Sequence, residues 1–321
     1  MKTTFLKLGA SLALVSALIL TQSCSDSDNK SGVGNGEAEF QITDAPTDDA
    51  DVKGVFVTVT DVKVDGVSVS GFTKQTIDLK AYSEGTTKLL ATSNLAAKSY
   101  SNLTLVIDSD FDASGTAPGS YVLTNDNVKY KLRDSGTIDI TLNNTWKVSA
   151  NTKSTIILDF DIRKAIRKVD NAAVRYNFVS NDNLKASVRV VSQSDAATIN
   201  GNYTEQVNTN ADKLFVYAYK KGTFDAGVEG QPQGDDKILF KNAVTSAEVK
   251  GTLNAKTYKL AFVEAGEYEL HFASYDVDSN DDVNLQALLT STITLGASSP
   301  NIVTIQGGVN MNVTTSVTAI N

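Results

Sequence analysis

Few residues of this chain are of the types that carry out nucleophilic or acid–base chemistry. Its 321 residues include one histidine, His271, and one cysteine, Cys24. Zinc sites built from cysteine and histidine need several such ligands, and cysteine–histidine catalysis needs both residues together. His271 lies in the alternating segment Tyr268–Ala273, on the side opposite the apolar residues. We therefore expect His271 to face solvent without a catalytic role.

The acidic loop Asp276–Asp282 is the strongest candidate for a metal site. Its oxygen-bearing side chains alternate along the chain: Asp276, Asp278, Asn280 and Asp282. Calcium prefers about six to eight oxygen ligands, and several can come from one loop of this spacing. The loop lacks the glycine and the glutamate of an EF-hand, since Asp281 and Ala287 stand there. We predict weak calcium binding, with a solvated acidic loop as the alternative, and no other cofactor. Asp108–Asp112 is a weaker candidate of the same kind.

The charge of the chain excludes one class of partner and leaves one class of enzyme open. Acidic residues outnumber basic ones, 37 to 29, and the net charge is −8. An acidic chain without a basic patch is not attracted to phosphate backbones, so we expect no nucleic-acid partner. Two suitably placed carboxylates can hydrolyse a glycosidic bond, and with so many acids this alternative stays open. The leading expectation is a protein that is not an enzyme.

The N-terminal residues have the pattern of an export signal. Residues 1–23 contain two lysines, no acid and the apolar run Leu8–Leu20, which is shorter than the about 20 residues of a transmembrane helix. The segment Leu20–Cys24 resembles the bacterial lipobox, so we predict a signal peptide over 1–23 and a lipid on Cys24. Residues 24–36 are rich in serine, glycine, asparagine and aspartate and are predicted to form a flexible tether. The acidic stretch Ser25–Asp28 resembles the surface-export signals of Bacteroidetes lipoproteins.

Most of the remaining chain alternates between apolar and polar residues, which is typical of strands. The composition breaks at Ser192–Ala197, after which a new series of strands begins. We predict an all-β protein of two β-sandwich domains of the prealbumin or immunoglobulin-like kind, residues 37–192 and 195–321, that fold independently. Residues 222–236 are predicted to be a loop.

Two segments have a helical pattern instead. Over 162–169 the apolar residues recur with the period of a helix, with Asp161 as a candidate N-cap and the basic residues Arg163 and Lys164 on the solvent side. A second, weaker helix is predicted near 87–95.

Several short motifs, taken in order, resemble a known family. The motifs are Ile42–Pro46, Ile77–Leu79, Lys88–Leu90, Leu95, Tyr100, Leu103–Leu105, Leu158–Asp161, Ala165–Ile166 and Val188–Val191. Over residues 37–192 this order resembles the bacterial domain of unknown function 4382 family, whose members are often secreted or lipid-anchored. The family has no established activity, so the resemblance implies no catalytic residues. The segments Thr198–Gly201 and Glu264–Leu270 resemble carboxypeptidase-regulatory or prealbumin-like modules.

Together these features predict a lipid-anchored, surface-exposed protein of the outer membrane that takes part in binding or adhesion. Its expected partners are the membrane, through the lipid, and a glycan or protein ligand. One alternative is a pilin-like assembly subunit, in which the last strand, around Val309–Val317, is exchanged between neighbours. The carboxylate-based glycoside hydrolase is the less favoured alternative.

Overall fold

The computed structural model describes residues 34–45, 49–171, 173–252, 255–279, 281–296 and 302–321. These residues form strands and three short α-helices, so the predicted all-β class is confirmed. The strands are β1 (Asn35–Ala45), β2 (Val52–Val64), β3 (Val67–Ser68), β4 (Gln75–Asp78), β5 (Lys88–Ala96), β6 (Ser99–Tyr100), β7 (Leu103–Asp108), β8 (Tyr121–Thr124), β9 (Lys129–Lys131), β10 (Thr137–Leu142), β11 (Trp146–Lys147), β12 (Lys153–Asp161), β13 (Ile166–Lys168), β14 (Tyr176–Phe178), β15 (Val188–Ser192), β16 (Ala196–Glu205), β17 (Lys213–Lys220), β18 (Thr245–Glu248), β19 (Lys250–Thr252), β20 (Ala255–Glu264), β21 (Gly266–Val277), β22 (Val283–Thr294), β23 (Val303–Ile305) and β24 (Met311–Ile320). The helices are α1 (Ile162–Ala165), α2 (Asn181–Ala186) and α3 (Ala226–Glu229).

The N-terminal domain is a sandwich of two sheets. One sheet has the order β15-β12-β1-β5, and the other has the order β10-β7-β2-β8-β9, with β3 and β4 also paired to β2. Alternate apolar residues of both sheets meet in one buried core, for example Phe40 and Val57. Trp146 lies in the same core, stacked on Tyr100 at 4.6 Å between ring centroids. The first strand takes in Asn35 and Gly36, which the sequence had assigned to the tether.

The C-terminal domain consists of one continuous sheet that folds over its own core. Its order is β18-β17-β21-β22-β24-β16-β20-β19, with β23 paired to β21. Residues from distant strands, such as Ile199, Phe272 and Val313, share this core, and β18 lies against β20. The arrangement is therefore closer to a barrel than to two separate sheets. None of the described strands on one side of residue 195 pairs with a strand on the other, and residues 33–321 form one compact unit. We use the word domain for the set of sheets on each side of residue 195. Independent folding of the two domains stays a prediction.

The segment between β17 and β18 covers an aromatic outer face of this sheet. Phe240 stacks on Tyr217 with ring centroids 3.9 Å apart. The buried carboxylate of Glu229, at the end of α3, accepts hydrogen bonds from the Tyr219 hydroxyl at 2.8 Å and from the Asn242 main-chain N–H at 3.1 Å. The predicted loop over 222–236 therefore contains one helical turn, α3, and the segment is held against the sheet by Glu229 and, beyond the loop, by Phe240.

Both helices predicted from periodicity are wrong in extent or kind. Residues 88–96 form the strand β5, because pairing with β1 outweighs a weak local helical preference. The helix predicted over 162–169 is the single turn α1, and the chain continues as β13 from Ile166. Arg163 and Lys164, expected on the solvent side, are each only 8% exposed. Within the described part of the chain, no helix is long and apolar enough to cross a membrane.

Candidate functional site: the junction between the domains

Two of the family-like motifs meet where the N-terminal domain contacts the C-terminal one. Strands β1 and β12 are parallel, and their register aligns Thr43 with Asp159 and Ala45 with Asp161. Asp44 lies between these positions, opposite Phe160, and the negative charges of Asp161 and Asp159 act on its carboxylate. All three aspartate side chains are buried. Burying three acids together is costly unless cations or hydrogen-bond donors accompany them.

Basic side chains of the same domain supply the countercharge. Asp161 Oδ2 lies 3.0 Å from Arg163 Nη2 and 3.4 Å from Lys164 Nζ. Burial opposes ionisation of Asp161, but the charges of Arg163 and Lys164 hold its pKa below the usual range. Asp159 is paired with Arg189. Asp161 therefore occupies the N-cap position of α1 but uses its carboxylate for this ion pair instead of for capping.

The same cations also hold the C-terminal domain. Arg163 donates to the carbonyl oxygens of Leu239 and Phe240, and Lys164 donates to that of Ala243. The Arg163 guanidinium also lies 5.3 Å from the centroid of the Tyr217 ring. Arg189 Nη1 donates to the Phe262 carbonyl at 3.4 Å, from the other side of the junction. We call Asp44, Asp159, Asp161, Arg163, Lys164 and Arg189 the junction cluster.

Asp44 is the member without a cation of its own. Its Oδ1 accepts the main-chain N–H of Ile162 at 3.1 Å, while Oδ2 has no hydrogen-bond partner among the described residues. Burial raises the pKa of Asp44 well above its usual range, and the negative charges of Asp161 and Asp159 raise it further. Asp44 and the buried hydroxyl of Ser246 line a cavity of about 10 Å³, which is room for one water molecule.

One acid of the C-terminal domain accepts hydrogen bonds from the N-terminal domain. Asp236, from the C-terminal domain, accepts hydrogen bonds from the Ser180 main-chain N–H at 2.9 Å, the Ser180 hydroxyl at 2.7 Å and the Asn183 amide at 2.6 Å. Its other oxygen lies 3.5 Å from Arg167 Nε. Although burial opposes it, these donors hold the pKa of Asp236 below its usual range. The adjacent Ile238 is buried in the core of the N-terminal domain.

Beside these contacts lies an open cleft with walls from both domains. It has a volume of about 430 Å³, within the range typical of ligand sites. The residues that line it include Arg167, Lys168 and Tyr176 on one side and Asp236 and Asp282 on the other. We call this space the interdomain cleft.

The cleft continues into a second, more open hollow. That hollow has a volume of about 630 Å³ and is lined by residues that include Tyr130 and Arg175. Lys168 and Asp282 line both spaces, and their side chains form an ion pair between them. The two adjacent spaces thus offer hydrogen-bond donors, acceptors and aromatic rings on both sides of this ion pair.

The predicted calcium loop, Asp276–Asp282, forms part of the wall of the interdomain cleft. Asp276 ends β21 exposed to solvent, and Asp278 Oδ1 accepts the main-chain N–H of Asp282 at 3.0 Å. Asp282 is bound by Lys168, and Asn280 lies outside the described residues. Among the residues that the structure describes, no group of three or more acidic, histidine or cysteine side chains is placed to hold a metal. Calcium binding at this loop stays a prediction, in competition with Lys168.

The weaker acidic run has a structural explanation. Lys74 and Lys131 form ion pairs of 2.8 Å with Asp108 and Asp110, respectively. Asp112 Oδ1 accepts the main-chain N–H groups of Ser114 and Thr116. These three acids therefore fix the loop that follows β7.

The other predicted site residues have different outcomes. His271 is half-buried, with its ring 3.5 Å from that of Phe224 and nearly parallel to it, so the expectation of a solvent-facing side chain was wrong. Burial lowers the pKa of its imidazole, although the neighbouring Glu269 carboxylate opposes this shift. Cys24, the predicted lipid attachment site, lies outside the described residues, and its acylation stays a prediction.

The junction cluster is the feature that sequence reasoning missed. A signal was present, because Asp159 and Asp161 interrupt the apolar second half of β12 and, after Ile162, two cations follow. Their partners in the other domain are main-chain carbonyls, which have no sequence signature.

Comparison with known proteins supports the resemblance found in the motifs. Residues 35–179 match the family described as Domain of unknown function (DUF4382), so that resemblance is confirmed for this part of the chain. The chain has no match among curated protein sequences.

Similar solved structures exist, but the likeness is remote. A leucine-rich repeat protein of Bacteroides thetaiotaomicron is 11% identical, with 89% of this chain and 26% of that chain covered and a TM-score of 0.24. The major pilin protein T-13 of Streptococcus pyogenes is 10% identical, with 89% and 98% covered and a TM-score of 0.21. The minor pilin of Streptococcus agalactiae is 9% identical, with 88% and 97% covered and a TM-score of 0.19. The chain spans about a quarter of the leucine-rich repeat protein, and these TM-scores are too low to indicate a shared function.

Proposed function

We propose that this protein is a surface-binding protein, held at the cell envelope by a lipid on Cys24, whose ligand lies in the interdomain cleft. The observation that carries the proposal is the cleft itself, a groove that requires both domains to be in place. The ligand class that fits is an extended polar polymer, such as a glycan or a segment of surface protein. An elongated ligand can use both hollows, which meet at the Lys168–Asp282 pair.

The chemistry of the walls favours recognition of hydroxyl and amide groups. Arg167, Lys168 and Arg175 are hydrogen-bond donors, and Asp236 and Asp282 are acceptors. Acids and bases both line the groove, so it does not select strongly for a ligand of one charge.

The junction cluster prepares the cleft for binding. Arg163 and Lys164 join the domains through carbonyl oxygens on the far side of the junction. A groove whose walls are already fixed loses less conformational entropy when a ligand binds.

The carboxylates of the cleft support binding more than hydrolysis. A glycoside hydrolase of the common type needs one carboxyl group with a raised pKa as the acid and a second as base or nucleophile. The pKa of Asp236 is lowered, and Asp282 is in an ion pair. Asp44, whose pKa is raised, is buried in the junction cluster.

Binding assays with cleft variants test the proposal. The chain from residue 24 onward, with Cys24→Ser, would be screened on glycan arrays and against envelope extracts. We expect Lys168→Ala and Asp282→Ala each to weaken binding of any ligand found by about tenfold, the loss of one hydrogen bond to a charged group. Lys221→Ala, which removes an exposed 3.1 Å pair with Glu267 elsewhere on the domain, is the control and should bind normally. Ligand binding that all three variants retain would place the site elsewhere, and the absence of any ligand would contradict the binding function.

The anchor is tested separately. In cells, Cys24→Ala should move the protein from the membrane pellet to the soluble fraction or cause its precursor to accumulate. Unchanged membrane association and processing would contradict lipidation while leaving the cleft untouched.

In the pilin-like alternative, the last strand would be exchanged between neighbouring subunits. In the structure β24 is an internal strand, hydrogen-bonded to β16 on one side and β22 on the other, and Val313 and Val317 are buried. Exchange of β24 would therefore break two ladders at once. Polymer ladders on gels of the purified protein would favour this alternative.

A further inference from the structure

The edge of the N-terminal sheet formed by β5 differs from the other sheet edges. Natural proteins protect exposed strand edges with charged residues, because an open edge pairs with other strands. Most of the other edge strands of the three large sheets carry a charge inside or at the end of a short strand: Arg189 in β15, Asp139 in β10, Lys129 and Lys131 in β9, Glu248 in β18 and Lys250 in β19. The uncharged strands β3 and β23, which each pair with one neighbour, have only 2 and 3 residues. Strand β5 is longer than all of these and has a single charge, Lys88, at its first position. Residues 89–96 are uncharged.

The register identifies which main-chain groups of β5 are open. The Glu37 N–H donates to Thr152 at 3.0 Å, toward β12, so Ala38 and Phe40 present their main-chain groups to β5. Their register partners are Ser93 and Ala91. Because main-chain groups alternate in direction along a strand, those of Thr92 and Asn94 point away from β1.

The flanking positions of the edge are already occupied. The Leu90 carbonyl accepts a hydrogen bond from the Gln75 side chain at 2.7 Å, and the Ala96 carbonyl accepts one from the Tyr100 hydroxyl at 2.9 Å. Thr92 and Asn94 are exposed, and no described residue hydrogen-bonds to their outward main-chain groups. The open stretch is therefore short and centred on Ser93.

We infer that β5 is a self-association edge, at which a second copy of this chain adds its own β5 antiparallel to the first. In this two-fold arrangement Thr92 lies opposite Asn94 of the second copy, and Ser93 lies opposite its equivalent. Each Thr92–Asn94 pair exchanges two main-chain hydrogen bonds, which satisfies the outward main-chain groups of Thr92 and Asn94 in both copies.

A second copy fits this edge better than a charged partner strand. The two facing segments are uncharged, so the symmetric contact brings no like charges together at its centre. The continuous sheet would become eight-stranded, with the order β15-β12-β1-β5 repeated in reverse in the second copy. A contact of this kind is smaller than the about 1,200–2,000 Å² of a standard interface, so we expect weak association that becomes significant at high local concentration on a membrane.

A charge-swap experiment tests the pairing. Sedimentation of the chain from residue 24 onward, with Cys24→Ser, should show a reversible rise toward twice the monomer mass as concentration increases. Thr92→Lys and Thr92→Glu should each remain monomeric, because the two residues at position 92 are diagonal neighbours across the symmetric pair. An equimolar mixture of the two variants should regain the dimer.

Two controls make the result decisive. Thr137→Lys, at an exposed position of the edge strand β10, should associate as the unchanged chain does. Each variant should keep the melting temperature of the unchanged chain, and Asn94→Lys provides a second edge variant if Thr92→Lys does not. A monomer at every concentration, or a dimer that persists in Thr92→Lys and Thr92→Glu alone, would overturn the inference.

Discussion

Two groups of aspartates in this protein have opposite environments. Asp44, Asp159 and Asp161 lie in strands, are buried, and form the junction cluster with basic residues. Asp276, Asp278 and Asp282 lie at the end of a hairpin and are exposed or half-buried. The exposed group is conspicuous in the sequence, whereas the buried group is hidden among apolar residues. The contrast shows that the density of acids along a sequence is a poor guide to where their charge matters energetically.

Loss of Asp161 should have the largest effect. Asp161→Ala leaves Arg163 and Lys164 buried without their partner, and breaking a buried ion pair from one side costs about 3–5 kcal/mol. We expect the melting temperature to fall by roughly 10 °C or more, measured by calorimetry. Asp139→Ala, which removes an exposed 3.4 Å pair with Lys63, is the control and should cost less than about 1 kcal/mol. Equal losses in the two variants would remove the distinction between buried and exposed acids.

Separating the domains should have the next largest effect. Fragments 35–192 and 195–321 are expected to fold alone, because neither shares a strand with the other. Each should melt cooperatively but below the intact chain, since Arg163 and Lys164 lose their carbonyl partners. Circular dichroism melts of each fragment and of their mixture would measure this. An unfolded fragment would show that the two domains depend on each other to fold.

Asp44 should respond to pH in the opposite direction from Asp236. The pKa of Asp44 is higher in the folded state than in the unfolded state, where it is near 3.8. The free energy of unfolding therefore falls as the pH rises from the unfolded-state pKa to the folded-state pKa. Asp44→Asn keeps an acceptor for Ile162 N–H and cannot ionise, so it should stabilise the protein at pH 7 by about 1–3 kcal/mol and by less near pH 4.

Asp236 provides the matched comparison. The pKa of Asp236 is lower in the folded state than in the unfolded state. Its ionised carboxylate therefore stabilises the protein at pH values above the unfolded-state pKa, and this stabilisation is lost as the pH falls through the folded-state pKa. Asp236→Asn should therefore destabilise the protein at pH 7 and have little effect at low pH. Thermal melts across this pH range would check both variants, and a common sign for the two at pH 7 would contradict the assignment of Asp44.

Calcium should have the smallest effect. A weak site with Kd of about 10⁻⁴–10⁻³ M would stabilise the protein by roughly 0.4–1.4 kcal/mol at millimolar calcium, and magnesium should do so less. Asp276→Asn with Asp278→Asn should abolish the shift, and Lys168→Ala should enlarge it by releasing Asp282. Identical melting curves in calcium and in chelator would leave the loop with no metal role.

The sequence predicts the fold well because alternation and turn residues are local signals. The composition break lies between strands that do not pair with each other, and the domain boundary that it predicts stays a prediction. It fails at α1, where the helical pattern of Ile162 and Ala165 is real for one turn but tertiary contacts of Arg163 and Lys164 determine the rest. The cleft was not predictable for the same reason, because Lys168 and Asp282 are brought together only when the two domains pack.

The position of β1 has a mechanical consequence for the proposed lipid anchor on Cys24. The chain passes from residue 34 directly into the centre of a sheet, where β1 is hydrogen-bonded to β12 on one side and β5 on the other. The hydrogen bonds of a sheet run across the strands, so tension along β1 acts on both ladders in shear. If the chain is pulled from residue 34, many hydrogen bonds would have to break together before the sheet unravels, which would suit the proposed role of holding a ligand at a membrane.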